Sequence, residues 1–277
     1  MRTRLPFAAS AAALLLLASS ACHKSDPAPE PAPKPARTAA RAAAGIPYDD
    51  GDDLIKAMHD RYASKWYRTL TFTQKTSRLA ADGKWNVQTW YEALKVPGRL
   101  RIDFDPVSAG NGVLYARDSQ FVVQNGRVIR GEPGINPLLL LGFDVYGTSV
   151  SHAASHLRKE GFDLARIHAA TFEGRPMIVV GANKGDFNRK QFWVDAERLV
   201  FVRMLEPSGK DASKMQDIRF VNYVKRGDAW IAPRVEIHSE GKLVFYEDYS
   251  DIRTDMGLDE ALFDASKWKS ARHWTMP

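Results

Sequence analysis

The sequence predicts a mainly β protein with a few helices, in which the strands form one large antiparallel sheet. Three observations support this prediction. A single long helical pattern is followed by strand-like segments at short intervals, and glycine-containing turn pairs separate many of these segments. Apolar and polar residues alternate along several of them. Connections this short leave no room for the helical crossovers of a parallel sheet.

The N-terminus has the features of an export signal. Two arginines precede an apolar run at 7–18, and small residues stand before Cys22, the only cysteine. The run is too short to span a membrane and predicts a signal peptide over 1–21. We expect a lipoprotein signal, in which Cys22 is acylated and becomes the first residue. The alternative is ordinary cleavage after Ala21, because Ser19 stands where such signals usually carry leucine.

Residues 22–47 are predicted to be a tether outside the fold. Five prolines between 27 and 35 alternate with alanine, glutamate and lysine, and an Ala/Arg stretch follows. Alternate prolines favour an extended chain that rises about 3.1 Å per residue. A lipid on Cys22 would then hold a single domain, residues 48–277, away from the bilayer. The alternative is a disordered leader with no spacer role.

The first part of the domain is predicted to be one helix followed by six strands. Apolar residues at helical spacing indicate an amphipathic helix over Asp53–Tyr67, capped by Asp52 or Asp53. The strands are expected at Thr69–Arg78, Trp85–Leu94, Arg99–Phe104, Gly112–Ala116, Gln120–Gln124 and Arg127–Arg130.

The second part is predicted to begin with two short helices. Asn136 and Pro137 introduce the first, which carries four consecutive leucines, and Ser149–Lys159 is the second. Seven further strands bring the total to twelve or thirteen, a number typical of a curled sheet or partial barrel. They are expected at Phe162–His168, Arg175–Gly181, Lys190–Asp195, Leu199–Leu205, Gln216–Val224, Ala229–His238 and Lys242–Asp251, before a helical turn at Asp259–Phe263.

Alternation along the strands predicts one apolar face. Leu100, Ile102 and Phe104 alternate with charged residues, so Arg101 and Asp103 are expected on the exposed face. An antiparallel sheet must cover its apolar face, and the predicted helices are short. These helices either cover the apolar face completely, which gives a solid core, or cover it loosely and leave a ligand cavity. The residue pattern alone allows both arrangements.

The charge balance excludes an obvious nucleic-acid binder. The chain has 39 Lys and Arg against 33 Asp and Glu, with no basic run. The sequence therefore predicts no nucleic-acid partner and leaves room for weak attraction to an anionic membrane.

No catalytic residue and no cofactor is predicted. The domain has no phosphate-binding loop, no Gly-x-Ser-x-Gly elbow and no cysteine nucleophile. His152 and His156 lie four apart on a predicted helix with Glu160 one turn further, which would place metal ligands on one face. Histidines at this spacing also occur on ordinary amphipathic helices, so the sequence predicts no metal site.

Four segments, in this order and spacing, resemble the LolA/LolB-like periplasmic lipoprotein carriers. They are Phe72-Thr73-Gln74-Lys75, Lys95-Val96-Pro97, the run from Asn136 to Leu141, and Lys190-Gln191-Phe192-Trp193-Val194-Asp195. The resemblance extends over roughly residues 50–265. It implies an antiparallel curled half-barrel of about eleven strands, with a helical lid over an apolar cavity that takes up acyl chains without chemistry.

The resemblance also implies a function and a set of binding residues. The expected function is non-enzymatic binding of lipid, acyl chains or lipoprotein in the bacterial cell envelope, in lipoprotein sorting or lipid transport. The expected cavity and lid residues are Leu100, Ile102, Phe104, Leu138, Leu139, Leu140, Leu141, Phe143 and Phe192. The membrane partner is reached through the lipid on Cys22, and His23 after it favours the outer membrane, since aspartate there commonly retains lipoproteins at the inner membrane.

Two departures keep the role open within the family. Val96 stands where the soluble carrier has an arginine that latches the lid, and the loop 105–111 lacks the leucine that the outer-membrane acceptor inserts. One alternative is an envelope sensor or scaffold similar to RseB that binds a protein partner. A hydrolase with an unassigned substrate is the other.

Overall fold

The computed structural model describes residues 46–209 and 211–275. The predicted signal peptide, Cys22 and nearly all of the predicted tether lie outside the described residues. Ile46, at the start of the described chain, is buried in the main core.

Within these residues the protein is mainly β with three α-helices and one large antiparallel sheet. The helices are α1 (Gly51–Tyr62), α2 (Pro137–Gly142) and α3 (Val150–Lys159). The strands are β1 (Thr69–Leu79), β2 (Trp85–Lys95), β3 (Arg99–Phe104), β4 (Gly112–Ala116), β5 (Ser119–Gln124), β6 (Arg127–Pro133), β7 (Ile167–Phe172), β8 (Arg175–Val180), β9 (Gln191–Asp195), β10 (Phe201–Pro207), β11 (Met215–Val221), β12 (Val224–Arg226), β13 (Ala229–Ile231), β14 (Arg234–Ser239) and β15 (Lys242–Thr254). None of the three helices is long and apolar enough to cross a membrane.

The main sheet contains thirteen strands, against the eleven that the family resemblance implies. Their order is β6-β5-β4-β3-β2-β1-β15-β14-β11-β10-β9-β8-β7, and β12 pairs with β13 separately. Two meanders, β1–β6 and β7–β11, therefore meet through β15 and β14. The helices α2 and α3 lie in the connection between the meanders, and α1 packs on α3.

Four local predictions need correction. Asp50, not Asp52 or Asp53, caps α1, because its side chain accepts a hydrogen bond from the backbone N–H of Asp53. That helix also ends at Tyr62, although Trp66 beyond it is buried and stacks on Tyr146.

The other two corrections concern strands. Phe162–His168 is mostly a loop, whose Phe162 and Leu164 are buried anchors, and the strand is Ile167–Phe172. The predicted strand Ala229–His238 is two strands in different sheets, since Pro233 between them has no backbone N–H to donate to a ladder.

The core has two parts on opposite faces of the sheet. The larger part lies between the helices and one face, and includes Leu100 and Ile102. The smaller lies between the other face of β2, β4 and β5 and the irregular C-terminal segment, which contributes Phe263 and Trp268. Both faces of this part of the sheet are therefore covered.

The second face corrects the prediction for β3. Arg101 and Asp103 are 3% and 1% exposed, not solvent-facing. Arg101 donates hydrogen bonds of 2.7 and 2.9 Å to the Asp103 carboxylate, and its guanidinium lies 3.9 Å from the centre of the Trp268 ring. His273 Nε2 lies 3.2 Å from the same carboxylate. The C-terminal segment thus buries an ion pair that the alternation of apolar and charged residues along β3 predicts to be solvent-exposed.

Candidate ligand cavity

An apolar cavity of about 60 Å³ lies between α2 and the sheet. Leu138, Leu139 and Phe143 line it from the helical side. The sheet contributes residues of β1, β2, β3, β4, β11, β14 and β15: Phe72, Trp90, Glu92, Leu94, Leu100, Ile102, Tyr115, Phe220, Val235, Glu247 and Tyr249. We call this space the inner cavity.

A larger pocket of about 360 Å³ adjoins it on the other side of α2 and is open at the surface. We call it the rim pocket. The turn after β2, the β4–β5 turn and the helical connection form its walls. Tyr115, Asn136 and Leu139 line both spaces. These three residues therefore form the junction between the buried cavity and the surface.

The sequence of α2 explains how it lies between the two spaces. The Asn136 side chain caps the helix by accepting a 2.9 Å hydrogen bond from the Leu138 N–H, and Pro137 occupies the first turn. The four consecutive leucines cover almost the whole circumference of such a short helix. All four are buried: Leu138 faces the inner cavity, Leu139 both spaces, and Leu140 the rim pocket.

The structure places five of the nine predicted binding residues around the inner cavity and a sixth, Leu140, in the rim pocket. Leu141 is completely buried but lines neither space. Phe104 is half-buried and packs on Trp90, with ring centres 4.9 Å apart. Phe192 is buried under Phe162 at 5.5 Å and belongs to the core.

Sequence reasoning missed two buried glutamates in the inner cavity. Glu92 and Glu247 are each 5% exposed and lie on β2 and β15, the two neighbours of β1. Burial raises the pKa of Glu247 to about 7 and raises that of Glu92 well above its usual range, where the nearby Glu247 adds to the effect. Each glutamate lies two residues from a buried aromatic residue on its own strand, Trp90 on β2 and Phe245 on β15, and so on the same face. This spacing is the sequence signal that predicts their burial.

Asp195, at the end of β9, is engaged in an ion pair with Arg175. Asp195 is buried, receives a 2.6 Å hydrogen bond from Arg175, and accepts the backbone N–H groups of Glu197 and Arg198. It borders a third pocket of about 330 Å³ on a different part of the sheet. The Asp195 carboxylate therefore stabilises the turn after β9.

No protein-family model and no curated protein sequence matches this chain. Solved structures do match it. A DUF1329 family protein from Desulfovibrio piger is 17% identical, with a TM-score of 0.52 over 79% of this chain and 98% of that one. A domain from Vibrio parahaemolyticus described as an outer membrane lipoprotein-sorting protein is 16% identical, with the same TM-score and coverage. The chain has a LolA-like fold.

A LolA superfamily protein from Nitrosomonas europaea matches more loosely, with 13% identity and a TM-score of 0.47 over 76% of this chain and 96% of that one. The Desulfovibrio and Vibrio structures confirm, at the level of the fold, the resemblance that the sequence motifs predict. Sequence identities this low establish a shared fold and nothing about function.

One departure from the LolA-like pattern has a clear structural setting. Val96, at the position matched to the latch arginine, contacts Gly147 after α2, where an added Cβ would lie 2.7 Å from the Val96 side chain. Next to it, the Gly98 N–H donates to the Asp144 carboxylate, and burial raises the pKa of Asp144 to about 7. The turn after β2 therefore meets the helical connection through an apolar contact and a hydrogen bond from a backbone N–H to a side-chain carboxylate.

Proposed function

We propose that this protein binds hydrophobic ligands, such as lipid, acyl chains or lipoprotein, in the bacterial cell envelope and carries out no chemistry on them. The observation behind this proposal is the apolar inner cavity beneath α2, joined through Leu139 to the open rim pocket. In the proposal, α2 is a lid, and the strands that line the cavity are the wall of a half-barrel.

The spread of the lining residues supports a curved wall. Ile102 on β3 and Phe220 on β11 line the same cavity, although four other strands lie between β3 and β11 in the sheet. Strands lie about 4.8 Å apart, so a flat sheet would place β3 and β11 about 24 Å from one another. Curvature of the sheet around α2 brings both side chains to one space.

The volume indicates that the lid must move. About 60 Å³ is well below the roughly 300–1,000 Å³ typical of small-molecule sites. The rim pocket is large enough but open, with Arg99 and Arg117 on its wall. We propose that an acyl chain enters from the rim pocket and displaces α2, whose leucines then pack on the chain instead of on the sheet.

The envelope location rests on the N-terminal sequence. We propose that residues 1–21 direct export, that Cys22 is acylated, and that 22–47 tether the domain to the outer membrane. The lipoprotein-sorting description belongs to the Vibrio domain, and a LolA-like fold suits the same compartment.

Lipid extraction tests the function directly. The protein, purified from bacterial envelopes without detergent, is extracted with organic solvent, and the extract is analysed by mass spectrometry. We expect fatty acid, phospholipid or lipoprotein in stoichiometric amounts, and saturable binding of a fluorescent fatty acid by the delipidated protein. A protein that carries no lipid and does not bind the fatty acid would contradict the proposal, and co-purification of a protein partner alone would favour a sensor.

A further inference from the structure

Helix α3 and the β4–β5 turn bring three metal-binding side chains together at the rim pocket. His152 and His156 Nε2 each lie 3.8 Å from an oxygen of the Asp118 carboxylate. The ring centres of the two histidines are 4.4 Å apart, and one ligand atom from each residue lies within 4.8 Å of the others.

Local structure explains this convergence. His152 and His156 are one helical turn apart, so their rings project from the same face of α3. Asp118 lies in the turn that follows β4, opposite this face of α3. Its φ is 54°, a left-handed conformation that aspartate tolerates in tight turns. Glu160, the third ligand that the sequence suggests, is instead 3.6 Å from Lys190.

We propose that Asp118, His152 and His156 bind one divalent transition-metal ion of the zinc class. Zinc bonds to imidazole nitrogen and carboxylate oxygen are about 2.0–2.2 Å long, which places tetrahedral ligand atoms about 3.4 Å apart. The three ligand atoms lie within 4.8 Å of one another, so binding a tetrahedral ion requires them to close by at most about 1.4 Å. Three protein ligands leave a position for water or a ligand atom, as in zinc sites of the open type.

The surroundings allow an ion to enter. The side chains of Asp118 and His152 are 51% and 37% exposed, and both line the rim pocket, while His156 is 17% exposed. Arg117 is a cation in the same turn, and its side chain is exposed. A bound ion would fasten α3 to the β4–β5 turn across one wall of the rim pocket. Binding does not require that the cavity hold an acyl chain.

Zinc chloride alone tests the site, with protein that carries no polyhistidine tag. Isothermal titration should show a binding event that weakens in His152→Ala and Asp118→Asn by at least the roughly tenfold that loss of an outer partner costs a metal site. Saturating zinc should raise the melting temperature of the wild type by about 5 °C and leave that of both variants nearly unchanged. His59→Ala is the matched control, because His59 pairs with Asp60 on α1 with no second histidine.

Two results would overturn the site. One is absence of zinc binding by the wild type. The other is equal binding by the wild type, His152→Ala and Asp118→Asn, which would assign the ion to other residues, such as Cys22 and His23. If His152→Ala does not fold, Asp118→Asn still decides the question, because Asp118 lies at a half-exposed turn where asparagine tolerates the same backbone.

Discussion

The Tyr249 hydroxyl donates a 3.0 Å hydrogen bond to the Glu247 carboxylate inside the inner cavity. Glu92 lies across β1 on the wall of the same cavity. Two carboxyl groups in a small apolar space cannot both ionise without a large desolvation cost. The folded protein therefore holds protons that the unfolded chain releases at neutral pH.

This arrangement predicts that stability falls as the pH rises. The pKa of Glu247 is about 7 in the folded protein, above that of an unfolded glutamate, so its stabilising effect is complete below about pH 4 and is lost as the pH rises through 7. The shift corresponds to roughly 3–4 kcal/mol. Denaturant unfolding between pH 5 and 8 should show this loss in the wild type.

The variant Glu247→Gln should show a smaller loss, because an amide does not titrate. Glu132→Gln on the exposed strand β6 is the matched control and should keep the wild-type profile. A Glu247→Gln profile as steep as that of the wild type would show that other groups cause the pH dependence.

Leu139 and Leu141 provide a matched pair for the proposed lid. Both are buried leucines on α2, but Leu139 lines the inner cavity and the rim pocket, whereas Leu141 lines neither. Each Leu→Ala change removes about three carbon atoms of packing and should cost about 2–5 kcal/mol, with Leu139→Ala nearer the lower value because one side of it already faces space.

Binding should separate the two variants. Leu139→Ala should weaken fluorescent fatty-acid binding about tenfold, since the lost side chain would contact the acyl chain, and Leu141→Ala should leave the affinity within about twofold of wild type. Titration at a temperature where both variants are folded measures this. Equal losses of affinity and stability in both would favour a purely structural α2.

Strand β3 offers a direct comparison of a buried and an exposed ion pair. Asp103→Asn would leave the Arg101 guanidinium buried without its counter-charge, which should cost about 3–5 kcal/mol. Glu260→Gln breaks the surface ion pairs of Glu260 with Arg99 and Lys95, each of which should cost less than about 1 kcal/mol.

Urea unfolding of the two variants measures both costs. A small loss in Asp103→Asn would mean that the C-terminal segment around Trp268 opens readily and admits water to Arg101. Near-UV circular dichroism would detect that opening, because Trp268 and Trp274 pack in this region.

The sequence predicts most of the fold, because its strands are short and separated by strong turn signals. β3 and β4 have the predicted bounds, and the turn pairs Asp82-Gly83 and Asn125-Gly126 stand between predicted neighbours. Turn pairs and strand alternation depend only on neighbouring residues, so they can be recognised in the sequence without the tertiary structure. Phe162–His168 was harder, since its apolar residues anchor a loop under α3 and mimic a strand pattern.

The candidate site was less predictable, because it depends on distant segments. Leu100 and Leu139 follow from local patterns, but the burial of Arg101 depends on a C-terminal segment about 170 residues away that has no periodicity. Asp118 joins His152 and His156 only through the packing of α3 on a hairpin turn. Spacing along the chain contains no signal for such contacts.

Cys22 determines whether the protein is anchored. If Cys22 is acylated, cells grown with labelled palmitate should yield labelled wild-type protein in the membrane fraction, because two or three acyl chains bind a bilayer far more stably than one. Cys22→Ala should carry no label and appear in the soluble periplasmic fraction. Ordinary cleavage after Ala21 predicts instead an unlabelled, soluble wild type, which would contradict the anchor.

The neighbouring His23 tests which membrane holds the anchor. His23→Asp places aspartate after the acylated cysteine, so we expect this variant to keep its label but move to the inner membrane, whereas the wild type and the matched His23→Ala remain with the outer membrane. Density-gradient separation of the two membranes measures the distribution. If wild type and His23→Asp are found together in the inner membrane, the tether presents the cavity at the opposite side of the periplasm, where a carrier would load and not deliver.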